Sequence, residues 1–397
     1  MKLLSVDEAR ARMLAEIAVL PAEPVAIADS IGRVLAEDVA AVRDQPPFPA
    51  SAMDGWAVRA ADTPGRLRIV GESAAGHGYE GRVGAGEAVR IFTGAAVPTG
   101  CDAVVIQENA TREGEAVVAV PAAEPGANVR PAGGDFRAGQ ALLARGVRID
   151  PWRLSLAAAA GRAELAVARR PRVALFSTGE EIVEAPAVPG PLQIYDSGSR
   201  ALAALATGWG AKVSRARPVR DDLETTIQAL RDASGDLVVT VGGASVGDHD
   251  LVRAAAEALG LELKVASVSL RPGKPTFFGV LRDGRRLLGL PGNPASALVC
   301  AELFLRPILA ACQGADPALP VSSARLAEPL GGNGPREHWM RAKLAVADGV
   351  VTARPYRDQD SSLVSVFAAS DALLRRFAGA PPAAAGEVVD VLPLARA

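Results

Sequence analysis

The spacing of apolar residues divides the chain into regions of different structure. Residues 5–17 carry apolar positions at helical spacing, and the segment that follows, to about residue 40, predicts a strand, a short helix and a second strand. From residue 46 to about 135, short apolar runs are separated by glycine-rich turns, which is typical of a small β-barrel or sandwich. A further helix is predicted at 150–165. The first part of the chain therefore combines helical segments with a β module.

From 171 to 312 the pattern changes to a regular alternation of strands and helices. Such alternation predicts a mostly parallel sheet with helices on both faces. After about residue 315 short strands return, and they predict a second compact β module. The strand candidates of the alternating region are 172–176, 211–219, 236–241 and 285–290, and its helix candidates are 199–210, 222–234, 249–260 and 294–312.

Composition narrows the class of protein. At 397 residues the chain can form two to four domains, and 49% hydrophobic with 22% charged residues is ordinary for a globular protein. A net charge of −2 and 4% aromatic residues argue against a nucleic-acid partner and against an anionic membrane surface. The longest apolar stretch, 297–312, contains Glu302, Arg306 and Pro307, so we expect a buried helix rather than a membrane span.

Two rare residue types carry information. The three cysteines have no metal-ligand spacing and are too few for a disulfide framework, so we expect a reduced, cytoplasmic setting. Only five of the 43 basic residues are lysine, and one of them, Lys274, lies in the glycine-proline loop 271–276. A chemical role for this lysine and its presence by chance both remain open.

Three loops that follow predicted strands carry the candidate chemistry: 177–182 (STGEEI), 242–250 (GGASVGDHD) and 291–296 (PGNPAS). Ligands of open α/β sheets bind beyond the carboxyl ends of the strands, where glycines let backbone N–H groups approach an anion. The loops are therefore either three ordinary turns or one phosphate or nucleotide site. Standard fingerprints do not decide, because 76–81 matches G-x-G-x-x-G only inside the β module and 271–276 is not a Walker loop.

Carboxylates cluster around these loops. Asp222 and Asp248 stand at predicted helix starts, where a carboxylate caps the helix. Several acids beside an anion-binding backbone also fit a bound Mg²⁺ that bridges carboxylates to phosphate oxygens. The residues alone leave both interpretations open. The set comprises Glu180, Glu181, Asp196, Asp221, Asp222, Asp248 and Asp250.

An ordered series of segments resembles the motifs of the MoeA family, which includes the E domain of gephyrin. The resemblance extends over nearly the whole chain, since 358–374 is similar to the family's last domain. Arg271 stands where the family usually has lysine, and Gly198 replaces an amide residue. The segments are PPFPASAMDGWAV (46–58), IFTGAAVPTGCDAVVIQE (91–108), VRPAGGDFRAG (129–139), FSTGEEI (176–182), QIYDSGS (193–199), TVGGASVGDHD (240–250), RPGKP (271–275) and LPGNPASAL (290–298).

The resemblance implies a multidomain α/β plus β fold in an elongated homodimer. Its parts would be a discontinuous helical domain (1–45 and 136–170), a β module (46–135), a MogA-like, mostly parallel α/β molybdopterin-binding domain (171–314) and a C-terminal β-barrel (315–397). It also implies a transferase of molybdenum cofactor biosynthesis that inserts molybdate into adenylyl-molybdopterin, with Mg²⁺-dependent release of AMP. The molybdopterin adenylyltransferase and recipient molybdoenzymes would be its partners.

The resemblance and the chemistry together assign the site residues. Asp248 and Asp250 would hold Mg²⁺ against the pyrophosphate. Lys274, Arg271, Arg341, Ser361 and Ser365 are the candidates for molybdate, a dianion that needs cationic and neutral donors. The other expected catalytic residues are Asp54, Thr93, Asp135, Glu181 and Asp222, of which the first three would come from the partner subunit. The other expected binding residues are Ser177, Thr178, Gly179, Asp196, Gly242, Gly243, Ser245, Gly247, Pro291, Gly292, Asn293 and Pro294.

Two other functions compete with this one. A molybdopterin adenylyltransferase would share the α/β domain, but that family consists of a single compact domain and this chain is far longer. A non-catalytic binding protein is also possible, since the gephyrin E domain anchors receptors. A scaffold would tolerate the loss of Asp248, Asp250 and Lys274, and all three are present.

Overall fold

The computed structural model describes residues 3–243 and 251–394. Its first helix, Val6–Ala15, begins at a capping box in which the Ser5 hydroxyl accepts from the Glu8 N–H at 3.2 Å and the Glu8 carboxylate accepts from the Ser5 N–H at 2.9 Å. Its buried face packs into the core of the α/β domain rather than onto the neighbouring segment. The N-terminal helix therefore packs against a domain that lies more than 150 residues further along the chain.

The segments on either side of the β module pair with each other. Strand Ala22–Ala26 is antiparallel to Glu164–Ala168, and Val39–Ala40 is antiparallel to Ala141–Leu143. Helix Pro151–Ala159 begins where the Asp150 carboxylate accepts from the Arg153 N–H at 2.8 Å. These pairings are what a discontinuous domain requires, although the limits of the domains remain a prediction.

The β module is built on one six-stranded sheet, and strands are present at the four apolar runs from which it was predicted, 66–70, 88–92, 103–107 and 116–121. A two-stranded ladder joins Ala50–Ser51 to Val129–Arg130. Short 3₁₀ turns at Ile27–Asp29, Ala60–Asp62 and Gln107–Asn109 occur in this half of the chain. In spatial order the six strands are Ala103–Ile106, Gly55–Val58, Glu87–Ile91, Gly65–Ser73, Val117–Val120 and Thr111–Glu113.

The α/β domain has the mostly parallel sheet that was predicted, with helices on both faces. Two antiparallel strands at one edge, Phe277–Val280 and Glu262–Val265, were not predicted. The helices are Gly198–Gly208, Leu223–Asp232, Leu251–Ala258, Pro294–Cys300 and Arg306–Cys312, the last two joined by a π-helical turn at Ala301–Leu305. The parallel strands, in spatial order, are Lys212–Arg215, Arg172–Ser177, Leu237–Val241 and Arg286–Leu290.

The apolar stretch Pro294–Cys312 is long enough to cross a membrane, at 19 residues and a mean hydropathy of 1.7. In the structure 83% of its most apolar window is buried inside the protein. The prediction of a buried core helix is confirmed, because the sheet and the helix Val6–Ala15 pack against it.

Five strands close into a barrel at the end of the chain. A sixth strand, Leu270–Arg271 of the α/β domain, pairs with the barrel strand Glu337–Ala347, so the two domains share hydrogen bonds. The helix Val364–Ala369 lies between two barrel strands in sequence. Around the barrel the strands are Glu337–Ala347, Val350–Pro355, Ser322–Leu326, Val388–Pro393 and Ala372–Arg376, which pairs again with the first. The expected multidomain α/β plus β fold is therefore confirmed.

Candidate functional site

A cavity of about 840 Å³, the first cavity, opens at the carboxyl ends of three parallel strands. All three predicted loops contribute to its wall, together with the 194–198 turn. This is the position at which open α/β sheets bind ligands. The expected residues that line it are Ser177, Thr178, Gly179, Glu181, Asp196, Gly242, Gly243, Pro291, Gly292, Asn293 and Pro294.

The floor of the first cavity needs glycine for steric reasons. Gly242 and Gly243 have φ of +88° and +62°, a conformation that side chains disfavour. A Cβ on Gly242 would stand 2.7 Å from the Thr178 carbonyl oxygen, and one on Gly243 would stand 2.4 Å from Cγ2 of Val252. The wall is therefore formed by bare backbone in close contact, which leaves room for a polar ligand beside neutral amides.

Asp196 anchors the mouth of the first cavity. Its carboxylate is almost fully buried and accepts hydrogen bonds from the Ser177 hydroxyl at 3.1 Å, the Ser199 N–H at 3.0 Å and the Ser199 hydroxyl at 2.5 Å. Arg215 lies 3.8 Å away and adds a positive charge. The carboxylate thus connects the 194–199 turn to the end of strand Arg172–Ser177, and its oxygens are occupied within the protein.

The carboxylates at the mouth divide into lining and capping groups. Glu181 and Asp221 line the first cavity. Asp222 does not; it caps helix Leu223–Asp232 by accepting from the Thr225 N–H at 2.7 Å, and the hydrogen bonds to Thr225 lower the pKa of Asp222. The structure therefore favours the capping interpretation for Asp222 and places the neighbouring Asp221 at the cavity instead.

The expected magnesium ligands cannot be placed. Asp248 and Asp250, with the binding candidates Ser245 and Gly247, lie outside the described residues. Within 3–243 and 251–394, His, Cys, Asp and Glu side chains form no group of three or more that could hold a metal.

A second cavity of about 750 Å³ adjoins the first and shares Gly273, Pro275 and Ser296 with it. It lies between the 271–275 loop and the C-terminal barrel, and it contains the molybdate candidates Arg271, Lys274 and Ser361. Lys264 and Lys343 pair with carboxylates, whereas Lys274 forms no ion pair with any residue in the described part of the chain. The charged side chains that line this cavity are Arg271, Lys274, Arg336, Arg357 and Arg376, opposed by Asp358 and Asp360.

One hydrogen bond joins the walls of the two cavities. The Asn293 side-chain amide, in the first cavity, donates to the Ser361 hydroxyl, in the second, at 2.7 Å. The Ala295 N–H donates to the Ser361 carbonyl at 3.1 Å. The barrel loop that carries Ser361 is therefore fixed directly to the strand-to-helix turn of the α/β domain.

Two of the five molybdate candidates do not line either cavity. Arg341 is fully buried, with its backbone N–H donating to the Gln359 side chain at 2.9 Å and its guanidinium donating to the Asp360 carbonyl at 2.8 Å. Arg341 thus supports the loop that carries Ser361 and does not line the second cavity, and the expectation that it contacts the anion stays a prediction. Ser365 is exposed on helix Val364–Ala369, away from both linings.

The candidates from the β module lie elsewhere in the same chain. The Asp54 carboxylate accepts from the Thr93 N–H at 2.7 Å and from the Thr93 hydroxyl at 2.8 Å, which lowers the pKa of Asp54. Asp135 lines a third cavity of about 770 Å³ with Phe48 and Arg130. None of the three expected residues lines the first or second cavity of its own subunit.

Sequence reasoning missed four side chains of the second cavity, Arg336, His338, Arg357 and Arg376. A signal for two of them was present, because Arg336, just before the strand Glu337–Ala347, alternates with His338 and Met340 inside it, and all three line the cavity. His338 is almost fully buried, and burial followed by the charges of Arg271, Arg341 and Arg336 lowers its pKa to about 4. The imidazole is therefore neutral at neutral pH.

The fold and the cavities define a multidomain protein whose α/β domain has a cavity at its strand ends and whose barrel completes a cationic second cavity. Three family models match the chain in order: "MoeA N-terminal region (domain I and II)" over residues 4–161, "Probable molybdopterin binding domain" over 174–311, and "MoeA C-terminal region (domain IV)" over 323–394. The chain belongs to the MoeA family.

Whole-length relatives agree with this assignment. Proteins named molybdopterin molybdenumtransferase from Staphylococcus aureus (strain COL) and Staphylococcus epidermidis (strain ATCC 12228) are each 31% identical, over 98% of this chain and 95% of theirs. A crystal structure of the molybdopterin biosynthesis MoeA protein from Pyrococcus horikosii superimposes with a TM-score of 0.83 at 32% identity, covering 99% of both chains. The similarity therefore includes all the domains.

Proposed function

We propose that this protein is a transferase that completes the molybdenum cofactor by inserting molybdate into adenylyl-molybdopterin with release of AMP. The observation that carries the proposal is the pair of adjoining cavities: one lined by neutral backbone at the strand ends, the other lined by cationic side chains. An organic nucleotide and an inorganic dianion that must react with each other need two such sites with a common wall. The activity named for the whole-length relatives is of this kind.

The first cavity suits the pterin nucleotide. Its volume of about 840 Å³ lies in the range of small-molecule sites. Gly242 and Gly243 keep side chains away from the backbone, and Ser177 and Thr178 supply hydroxyls near the strand end. In this proposal, backbone N–H groups hold the pyrophosphate, and Asp196 preserves the shape of the mouth.

Mg²⁺ fits the oxygen donors at the mouth of the first cavity. Carboxylates are the ligands that this ion takes together with substrate phosphates, and Glu181 and Asp221 line the cavity. We propose Asp248 and Asp250 as its ligands. When bound, the ion would neutralise charge on the pyrophosphate as AMP departs.

The second cavity suits molybdate. Lys274 and Arg271 supply positive charge, and the Ser361 hydroxyl supplies a neutral hydrogen-bonding group. A dianion in this cavity would lie beside Gly273, Pro275 and Ser296, which also line the first cavity. Arg341 contributes indirectly, by fixing the loop that carries Ser361.

A homodimer is part of the proposal. Asp54, Thr93 and Asp135 do not line the two cavities of their own subunit, so they act in the reaction only if a partner presents them. Light scattering at micromolar concentration should give about twice the monomer mass of 40.7 kDa. A monomer mass would refute the shared site.

The activity is tested by incubating the protein with adenylyl-molybdopterin, Mg²⁺ and molybdate, and by measuring AMP and cofactor. AMP release that depends on both ions is expected. Asp248→Asn and Asp250→Asn should abolish it while the protein remains folded. Formation of adenylyl-molybdopterin from ATP, without cofactor, would instead identify an adenylyltransferase, which we expect as a separate partner in the cytoplasm beside the recipient molybdoenzymes.

A further inference from the structure

His338 occupies an unusual position in the second cavity. It lies in register with Arg271 on one neighbouring strand and with Arg376 on the other, so the three residues form one row across three strands. All three line the cavity. Residues opposite each other on paired strands place their side chains on the same face. An imidazole therefore stands between two guanidinium-bearing residues at the wall of an anion site.

The imidazole of His338 has a nitrogen without a hydrogen-bond partner. His338 is 6% exposed, and its Nε2 atom is buried without a hydrogen-bond partner among the described residues. A buried polar atom in this state is costly, and such atoms are rare in native structures. The neighbouring Arg376 is satisfied, since it donates to the carbonyls of Gly331 and Pro381.

We infer that His338 takes up a proton when a tetrahedral oxyanion enters the second cavity, so that the anion is bound together with a proton. This rests on the proposed function of that cavity. Without an anion, burial and the neighbouring arginines disfavour the imidazolium. A dianion reverses the sign of the local field and gives a protonated ring a hydrogen-bond acceptor. Binding and protonation therefore favour each other.

The charged residues around the His338 ring favour its neutral form when no anion is bound. Positive groups outnumber negative ones on every element that surrounds the cavity except the 357–361 loop, which carries two carboxylates. Of the charged groups, Arg271, Arg341 and Arg336 lower the pKa of His338, whereas neither these carboxylates nor Lys274, Arg357 and Arg376 are among its causes. The charged residues of these elements are Arg336 just before the strand of His338, Glu337 and Arg341 on that strand, Arg271 and Lys274 on the adjoining loop, Arg375 and Arg376 on the paired strand, and Arg357, Asp358 and Asp360 on the 357–361 loop.

The direction of the pH dependence follows from the pKa. In the free protein the ring has a pKa of about 4, and bound anion raises it. Between these two values, molybdate affinity increases as the pH falls, by up to about tenfold for each pH unit. Above the raised pKa the ring stays neutral in both states and the pH dependence disappears.

The test is calorimetric titration of the full-length protein with molybdate alone, at pH 6 to 8.5, in buffers of different ionisation enthalpy. The dependence of the heat on the buffer gives the number of protons taken up. Toward pH 6, wild type should bind with net proton uptake, and so should the control His77→Gln, whose histidine is exposed in the β module; at pH 8.5 the uptake should be lost in both. His338→Gln should bind without uptake, with an affinity that is independent of pH and matches wild type at pH 8.5.

Each other outcome has a separate meaning. Binding by wild type without uptake overturns the inference and leaves the proposed function intact. Uptake that persists in His338→Gln also overturns it, because the proton would then reside on the anion or another group. If wild type binds no molybdate, the molybdate site itself fails. Should His338→Gln not fold, the ring resonances of His338 in wild type decide: they must move to the imidazolium position when molybdate is added.

Discussion

The two cavities share a wall but differ in how they are built. The first is lined largely by glycines, serines and prolines at the ends of three neighbouring strands of one sheet, together with three carboxylates and with Ser362 and Val364 from the barrel region. The second combines one loop of the α/β domain with a strand, a loop and a strand end of the barrel, and arginine, lysine and histidine side chains outnumber its two carboxylates, Asp358 and Asp360. Backbone recognition depends on close packing, whereas side-chain recognition depends on charge. Substitutions should therefore damage the two sites by different routes and independently of each other.

The largest expected effect is steric and belongs to the first cavity. In Gly243→Val the new Cβ would meet Val252 at 2.4 Å, at a φ of +62° that a β-branched residue disfavours. We expect adenylyl-molybdopterin affinity to fall more than a hundredfold and stability to fall by about 2–4 kcal/mol. Titration with the pterin nucleotide and chemical denaturation measure the two losses.

Gly284→Val is the matched control for this substitution. Gly284 also has a positive φ, +88°, but a Cβ there would meet nothing within 4 Å. It should lose stability and keep full pterin affinity. If molybdate binding were lost in Gly243→Val together with pterin binding, the two cavities would not be independent, and the comparison above would be wrong.

The second effect in size is electrostatic. Lys274→Ala removes a cation that has no carboxylate partner within the described residues, so its charge is available to an anion. Losing one charge-assisted hydrogen bond costs about 1.5–3 kcal/mol, so the molybdate concentration for half-maximal cofactor formation should rise roughly ten- to a hundredfold. Pterin binding should weaken much less.

Lys212→Ala provides the control, because Lys212 is exposed on the edge strand of the sheet. A molybdate titration beside a pterin titration on each variant separates the two cavities. An unchanged molybdate requirement in Lys274→Ala, or equal losses in both titrations, would remove Lys274 from the molybdate site.

A smaller effect is expected where the cavities are joined. Ser361→Ala and Asn293→Ala each break the 2.7 Å hydrogen bond between the walls. One such bond contributes about 1 kcal/mol, so Asn293→Ala should raise the molybdate requirement roughly fivefold. Ser361→Ala should raise it further, because it also removes the hydroxyl proposed to contact molybdate. The double variant should lose little more than Ser361→Ala alone, since the bond between the walls is already absent there. Ser365→Ala, on the exposed helix face, should behave as wild type. Strictly additive losses in the double variant would show that Asn293 and Ser361 do not act through their shared hydrogen bond.

The same comparison of the two cavities shows how much of the structure could be predicted from the sequence. The first cavity could be predicted because its three strand-end loops are each continuous in sequence and follow a recognisable strand. The second could be predicted only in part, since barrel closure brings His338 and Arg376 together from strands about 40 residues apart. The position of Arg341 shows the cost of ignoring strand alternation: Arg336, His338 and Met340 line the cavity, and Arg341 has the opposite parity.

The missed strands of the α/β sheet have a related cause. Glu262–Val265 and Phe277–Val280 run antiparallel at the sheet edge, outside the strand–helix alternation on which the prediction depended. The N-terminal helix illustrates the same limit, because its amphipathic pattern predicts a helix but not that it packs against the distant helix Arg306–Cys312. Local pattern fixes the type of an element, and long-range packing decides its neighbours.

The smallest expected effect concerns Asp222, a carboxylate that sequence reasoning assigned to catalysis and that the structure places at a helix start. Its hydrogen bond to the Thr225 N–H satisfies a donor that the helix leaves free. If capping is its whole role, Asp222→Ala should lower Tm by a few degrees, and Asp222→Ser, which retains a capping oxygen, should restore most of the loss. AMP release should be unchanged in both variants.

Asp221→Ala is the informative comparison for Asp222, because Asp221 lines the first cavity and its loss should impair AMP release with little change in Tm. Reduced AMP release in Asp222→Ser, at wild-type Tm, would show that Asp222 takes part in the reaction. The site would then extend along this loop beyond the residues that line the first cavity.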